Sequence, residues 1–184
     1  MVAPFLLFLC LFPGFSQAKA DVQTADVSPP EEAISQLAFM EGAWKLTTFI
    51  YEDDGSIAKQ SSADMTFKPT MGGLGYLEER IFPNDTPDNR TYAVSLIYTA
   101  KPETGKLVGI LNNTLGNRKL LNQIDGENLV FKMTGELFNG AQGYALLRYT
   151  NIFENSFEMV QDYCPGENEP CQERVFSFRA KRIE

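Results

Sequence analysis

Glu78-Glu79-Arg80 is the densest run of charge inside a strand-like stretch of this sequence. Alternation along a strand puts Glu78 and Arg80 on one face, and Glu79 on the other with Leu77 and Ile81. If one of the acids faces an apolar interior, burial raises its pKa and suits it to proton transfer. A charged, solvent-facing strand explains the same residues. Gln161, Asp162 and Tyr163 form a second polar group, at a strand end where polar residues are common. The usual catalytic partners are missing. There are 184 residues and no histidine, which excludes Ser-His-Asp and Cys-His nucleophiles, His-liganded zinc and His-ligated haem. There is no G-x-S-x-G elbow to expose a serine. Gly72-Gly73-Leu74-Gly75 is not followed by a helical pattern, so it reads as a turn or a bend at a barrel rim and not as a phosphate loop. Glu167 and Glu169 lack EF-hand spacing. No catalytic residue, metal site or cofactor is expected.

Composition narrows the partners further. Sixteen Lys and Arg against 24 Asp and Glu give a net charge of −8 with no basic run, a poor match for nucleic acid or anionic lipid surfaces. A hydrophobic fraction of 43%, with 14 Phe and 7 Tyr, implies one folded domain with a real core. Phe5 to Phe15 form an uncharged apolar stretch before Ser16-Gln17-Ala18-Lys19-Ala20. That order reads as a signal peptide, residues 1–20, cleaved after Ala20 and too short to span a bilayer. A lipoprotein reading of Cys10 fails on the bulky Leu9 before it. The expectation is a secreted or periplasmic protein with no membrane span once the signal is removed, a flexible leader over 21–29 and one domain over 30–184. Cleavage leaves Cys164 and Cys171, which flank a turn-rich loop. An even count in an exported chain points to a disulfide. Closing so short a loop contributes about 2–3 kcal/mol in the chain-entropy model. Sequons at Asn84, Asn89 and Asn112 matter only in a eukaryotic secretory pathway.

Positioning falls to strands. Ser28-Pro29-Pro30-Glu31-Glu32 is a helix start, and Ala33, Leu37 and Met40 repeat at helical spacing, so the spacing predicts a helix from Pro30 to about Met40, ended by Gly42. From Trp44 onward the period falls to two, and turn-rich breaks such as Asp53-Asp54-Gly55 separate ten strand-like runs. Short turns make neighbours antiparallel, and with no helices to cover edge strands, closure is favoured. The fold class is therefore all-β: an antiparallel up-and-down barrel of about 8–10 strands, with a β-sandwich as the alternative. Alternation turns Phe131 and Met133, then Phe157, Met159, Gln161 and Tyr163, and Phe176 and Phe178 to one face. Tyr92 to Tyr98 is ambiguous. So is Arg148, which shares parity with Leu146 while Leu147 and Tyr149 support the opposite register.

A short helix leading into Gly42-Ala43-Trp44 at the start of strand one, then a meander with a basic residue near its end, resembles the lipocalin and fatty-acid-binding superfamily, the calycins. The phrase Leu37-Ala38-Phe39-Met40-Glu41-Gly42-Ala43-Trp44 is similar to bacterial lipocalin-like families of unknown function. The resemblance implies a tryptophan plugging one barrel end and a basic side chain packed across it. Counting by twos from Phe176 and Phe178 through Ala180 reaches Arg182, so Trp44 and Arg182 are the expected pair, a cation–π contact of about 0.5–2 kcal/mol. It also implies a lumen that takes a small hydrophobic or amphiphilic molecule. The candidate lining is Phe131, Met133, Arg148, Phe157, Met159, Gln161 and Tyr163, with Arg148 and Tyr163 nearest to the residues that hold a carboxylate in fatty-acid-binding relatives. Two alternatives stand beside lumen binding. One is a surface-interaction protein with a self-filled barrel and an apolar outer patch. The other is a carboxylate acid–base isomerase or cyclase built on Glu78 or Glu79.

Overall fold

The computed structural model describes residues 30–83, 91–125, 128–135 and 143–183. The expected signal peptide and leader, Cys10, and the sequons at Asn84 and Asn89 lie outside these residues.

The predicted helix is split into α1 (Pro30–Ser35) and a single 3-10 turn (Ala38–Met40). Its apolar spacing survives the split, since Ala33, Leu37 and Met40 are all fully buried. The carbonyls of Phe39, Met40 and Glu41 accept side-chain bonds from the barrel, so they are not available to continue a helix. Ten strands follow: β1 (Gly42–Tyr51), β2 (Ile57–Thr70), β3 (Gly75–Phe82), β4 (Tyr92–Ala100), β5 (Leu107–Asn113), β6 (Arg118–Asp125), β7 (Val130–Gly135), β8 (Tyr144–Phe153), β9 (Ser156–Cys164) and β10 (Gln172–Arg182). Each pairs antiparallel with its sequence neighbour, and β1 pairs with β10 from Trp44 opposite Arg182 to Ile50 opposite Phe176. The sheet is a closed barrel, which removes both edges.

The two barrel ends differ. At one, the starts of the odd-numbered strands meet α1 and the 3-10 turn, and the side chains there have no solvent exposure: Trp44, Leu46, Leu107 and Phe131. Gln123 ties this closed end to the helix, accepting the Leu107 N–H at 2.9 Å and donating to Gln36 at 3.2 Å. Toward the far end, the inward-facing Tyr92, Leu111, Tyr163 and Phe176 pack on the core but stay partly exposed. Cys164 and Cys171 form a disulfide across the β9–β10 connection at that end.

Candidate functional site

Trp44 and Arg182 seal the closed end. The indole Nε1–H donates to the Met40 carbonyl at 2.6 Å, anchoring the ring beneath the 3-10 turn. The Arg182 guanidinium lies 4.2 Å from the Trp44 ring and donates to the carbonyls of Glu41 (2.6 Å), Phe39 (3.2 Å) and Glu154 (3.2 Å). A planar fork with five donors can reach three carbonyls and still stack on an indole; an ammonium cannot. Phe157 meets Trp44 edge-on at 4.9 Å and continues to Phe178 at 5.9 Å, so aromatic rings fill this half of the lumen.

The chemistry sits above those rings. β3 turns Tyr76, Glu78, Arg80 and Phe82 inward and leaves Glu79 outside, bonded to Lys68. Glu78 is 1% exposed and Arg80 6%. Arg80 Nε donates to Glu78 Oε1, and Tyr98 donates to Oε2 at 3.1 Å. Tyr98 and Tyr149 share a hydrogen bond of 2.8 Å, extending the chain across the barrel to β8. The guanidinium also lies 4.7 Å from the Phe178 ring on β10. Burial, and then the Glu78 carboxylate, hold the Tyr98 phenol well above the ordinary tyrosine range. The same two causes push Tyr149 up. Burial opposes the charge on Arg80, but Glu78 outweighs it, and the guanidinium holds its proton more tightly than usual. Both phenols are therefore neutral donors, and Glu78 and Arg80 form a buried pair of zero net charge. One donor is left over: Arg80 Nη2 is buried and has no hydrogen-bond partner among the described residues.

Six of the seven lumen residues expected from the sequence face inward. Phe131, Met133, Phe157, Met159 and Gln161 are buried, and Tyr163 is half-buried. Arg148 is a correction. It stands on the outer wall, its side chain 42% exposed and 2.7 Å from Asp162, because Leu147 and Tyr149 take the inward positions of β8. A cleft of about 590 Å³ opens outside the closed end beside Leu129, Arg148, Tyr149 and Ile152. It is open to solvent, and Tyr149, which lines it, reaches the Glu78–Arg80–Tyr98 cluster through its hydroxyl. On the outer wall, Ile97, Ile110 and Leu120 lie directly opposite one another on β4, β5 and β6 and are exposed. The row continues to Leu77 on β3 and is flanked by Val108, with Thr99, Asn122, Ser95, Asn112 and Arg118 around it.

No family model and no curated protein matches the chain. Among solved structures it is similar to a de novo designed fluorescence-activating β-barrel, at 10% identity over 79% of this chain and 95% of that one, with a TM-score of 0.41. A redesigned β-barrel is similar at 13% identity, over 80% and 94%, with a TM-score of 0.39. At these scores the likeness carries no weight, and the architecture rests on the strand pairing itself.

Sequence reasoning missed three members of the polar cluster's geometry: the inward turn of Arg80, and the roles of Tyr98 and Tyr149. A signal for the first was present. Tyr76 and Phe82 share parity with Glu78 and Arg80, and two aromatic rings bracketing a charged pair mark the buried face more strongly than Leu77 and Ile81 mark theirs.

Proposed function

We propose that this barrel binds a small amphiphilic molecule in the far half of its lumen, its apolar part among Val94, Met133 and Phe176 and its polar part against Arg80. The observation that carries this reading is the buried, unpartnered Nη2 of Arg80 inside an apolar barrel. Buried donors are nearly always bonded, so an orphan among aromatic and aliphatic side chains is a group a ligand could satisfy. The partial exposure of Tyr92, Leu111, Tyr163 and Phe176 supports entry from the far end.

Glu78 facing the lumen also favours a second reading, proton-transfer chemistry on an apolar substrate. It is the weaker of the two. Both Glu78 oxygens already accept hydrogen bonds, and both phenols keep their protons, so the cluster holds and donates and has no evident base.

Titration with Nile red, a neutral apolar dye, tests the binding reading. Saturable emission at one dye per chain is expected, lost in Leu111→Trp, which sets a large ring across the far end, with circular dichroism unchanged. Absence of saturation in the folded wild-type protein overturns the reading. Native mass spectrometry of protein taken from its own host would identify any retained molecule.

A further inference from the structure

The charge balance inside the lumen restricts what kind of polar group can meet Arg80. This inference rests on the lumen-binding reading and refines it. Arg80 is not a free cation, because Glu78 sits beside it, buried, with one oxygen on the guanidinium and the other on Tyr98. Lys119, the other buried cation on an inward face, engages a partner of its own. An anionic ligand group at Nη2 would share a low-dielectric interior with the Glu78 carboxylate, leaving two negative charges for one guanidinium. A neutral oxygen there completes the hydrogen bond and adds no charge.

A second group points the same way. Gln161 faces inward on β9, is 8% exposed, and its side chain has no hydrogen bond among the described residues. It stands opposite Phe176 on β10, one inward position from the Phe178 ring that carries the Arg80 guanidinium. Gln161 on β9 and Arg80 on β3 are thus both inward-facing, with the Phe178 ring of β10 next to each of them along the barrel wall. Both are donors, Arg80 with its charge balanced by Glu78 and Gln161 with none. A ligand oxygen that offers such donors the bonds water would otherwise make costs little on binding.

We infer that the molecule taken into the lumen carries a neutral carbonyl oxygen, as in a ketone, ester or amide, and not a free acid, with Arg80 Nη2 and the Gln161 amide donating to it.

Matched probes test this: methyl decanoate and decanoate, each displacing Nile red at about pH 8, where the acid is ionised. The ester is expected to bind at least about tenfold more tightly. Because the ester is also the more apolar molecule, the infrared band of its isotope-labelled carbonyl supplies a second readout. Bonded to two donors, the band moves below its position in alkane. Gln161→Leu, which leaves the Glu78–Arg80 pair intact, should shift it back toward the alkane position and weaken the ester several-fold, with decanoate little changed. Arg80→Met strips Glu78 of its counter-charge and endangers folding, so Gln161→Leu is the deciding variant. Equal or tighter binding of decanoate overturns the inference, as does an alkane-like carbonyl band in the wild-type complex, and both leave lumen binding standing. If Nile red itself does not saturate, the binding reading has failed and this inference falls with it.

Discussion

Gly42 and Arg182 compete for one volume. A Cβ added at Gly42 would stand 2.6 Å from the nearer guanidinium nitrogen of Arg182, closer than any side-chain carbon is found to such an atom. Gly42 also holds φ at +122°, which L-residues rarely adopt. The first residue of the G-x-W phrase thus makes room for the side chain that covers its tryptophan.

Gly42→Ala is expected to destabilise the barrel by about 1–3 kcal/mol, from strained backbone and displaced guanidinium together. Arg182→Met alone should cost about 1–3 kcal/mol, through three lost carbonyl bonds and the indole contact. The double variant should cost less than the sum, because the steric conflict disappears once the arginine is gone. Urea denaturation, followed by fluorescence of the single tryptophan, measures all three. Strict additivity would show that the two residues do not share the site.

The buried Glu78–Arg80 pair should respond unequally to single and double replacement. Glu78→Leu leaves a buried guanidinium with no counter-charge, an expected loss of about 3–5 kcal/mol. Glu78→Leu with Arg80→Met removes both charges and should recover most of that loss, at similar volume. Chemical denaturation of the three proteins decides it, and a double variant as weak as the single one would contradict the argument.

Alkaline pH should weaken the fold through Tyr98 and Tyr149. Their folded pKa values lie above the ordinary tyrosine value near 10, so the unfolded chain loses these protons first. Above that pH the folded state binds more protons than the unfolded one, and stability falls as pH rises. The slope approaches about 1.4 kcal/mol per pH unit for each tyrosine. Below about pH 10 this contribution is constant. Phenolate absorbance should show these two side chains ionising only as the protein unfolds; early, reversible ionisation of all seven tyrosines would refute this.

Opening the Cys164–Cys171 bond should cost about 2–3 kcal/mol and leave the barrel folded. The bond joins residues seven apart within a hairpin connection, beside the single pair Cys164 makes with Tyr144 of β8. Cys164→Ala with Cys171→Ala, compared by thermal melting and circular dichroism, gives the value. Loss of the native spectrum would mean that the loop organises more than its own two strands.

Much of this architecture is legible in the residues. The change of period after Trp44 gives the strands, and counting by twos along β10 leads from Phe176 to Arg182 without any structure. Alternation fails where both faces of a strand carry apolar residues. Leu77 and Ile81 look like core, yet they point outward, and Glu78 and Arg80 look like surface, yet they point inward. Alternation puts Glu78 and Arg80 on one face, but it does not say that a pair which neutralises itself can turn that face inward. Arg148 misleads in the same way, since Leu146 and Leu147 offer two registers, and Asp162 on the neighbouring strand decides between them. Tyr98 and Tyr149 are brought together by closure across the barrel, a relationship with no local trace in the sequence.

The pairing of Trp44 with Arg182 also sets an order of events. As the chain leaves the ribosome, β1 is made early, but its second neighbour arrives only when the last strand is complete. Until then the sheet is an open ribbon with two unsatisfied borders, the state in which β-proteins are most prone to join with one another. Closing it brings together residues far apart along the chain, a step that is entropically slow. Arg182 acts in that step as a latch: carried on β10, it grips the segment before β1 once the two strands pair, and holds the ring shut.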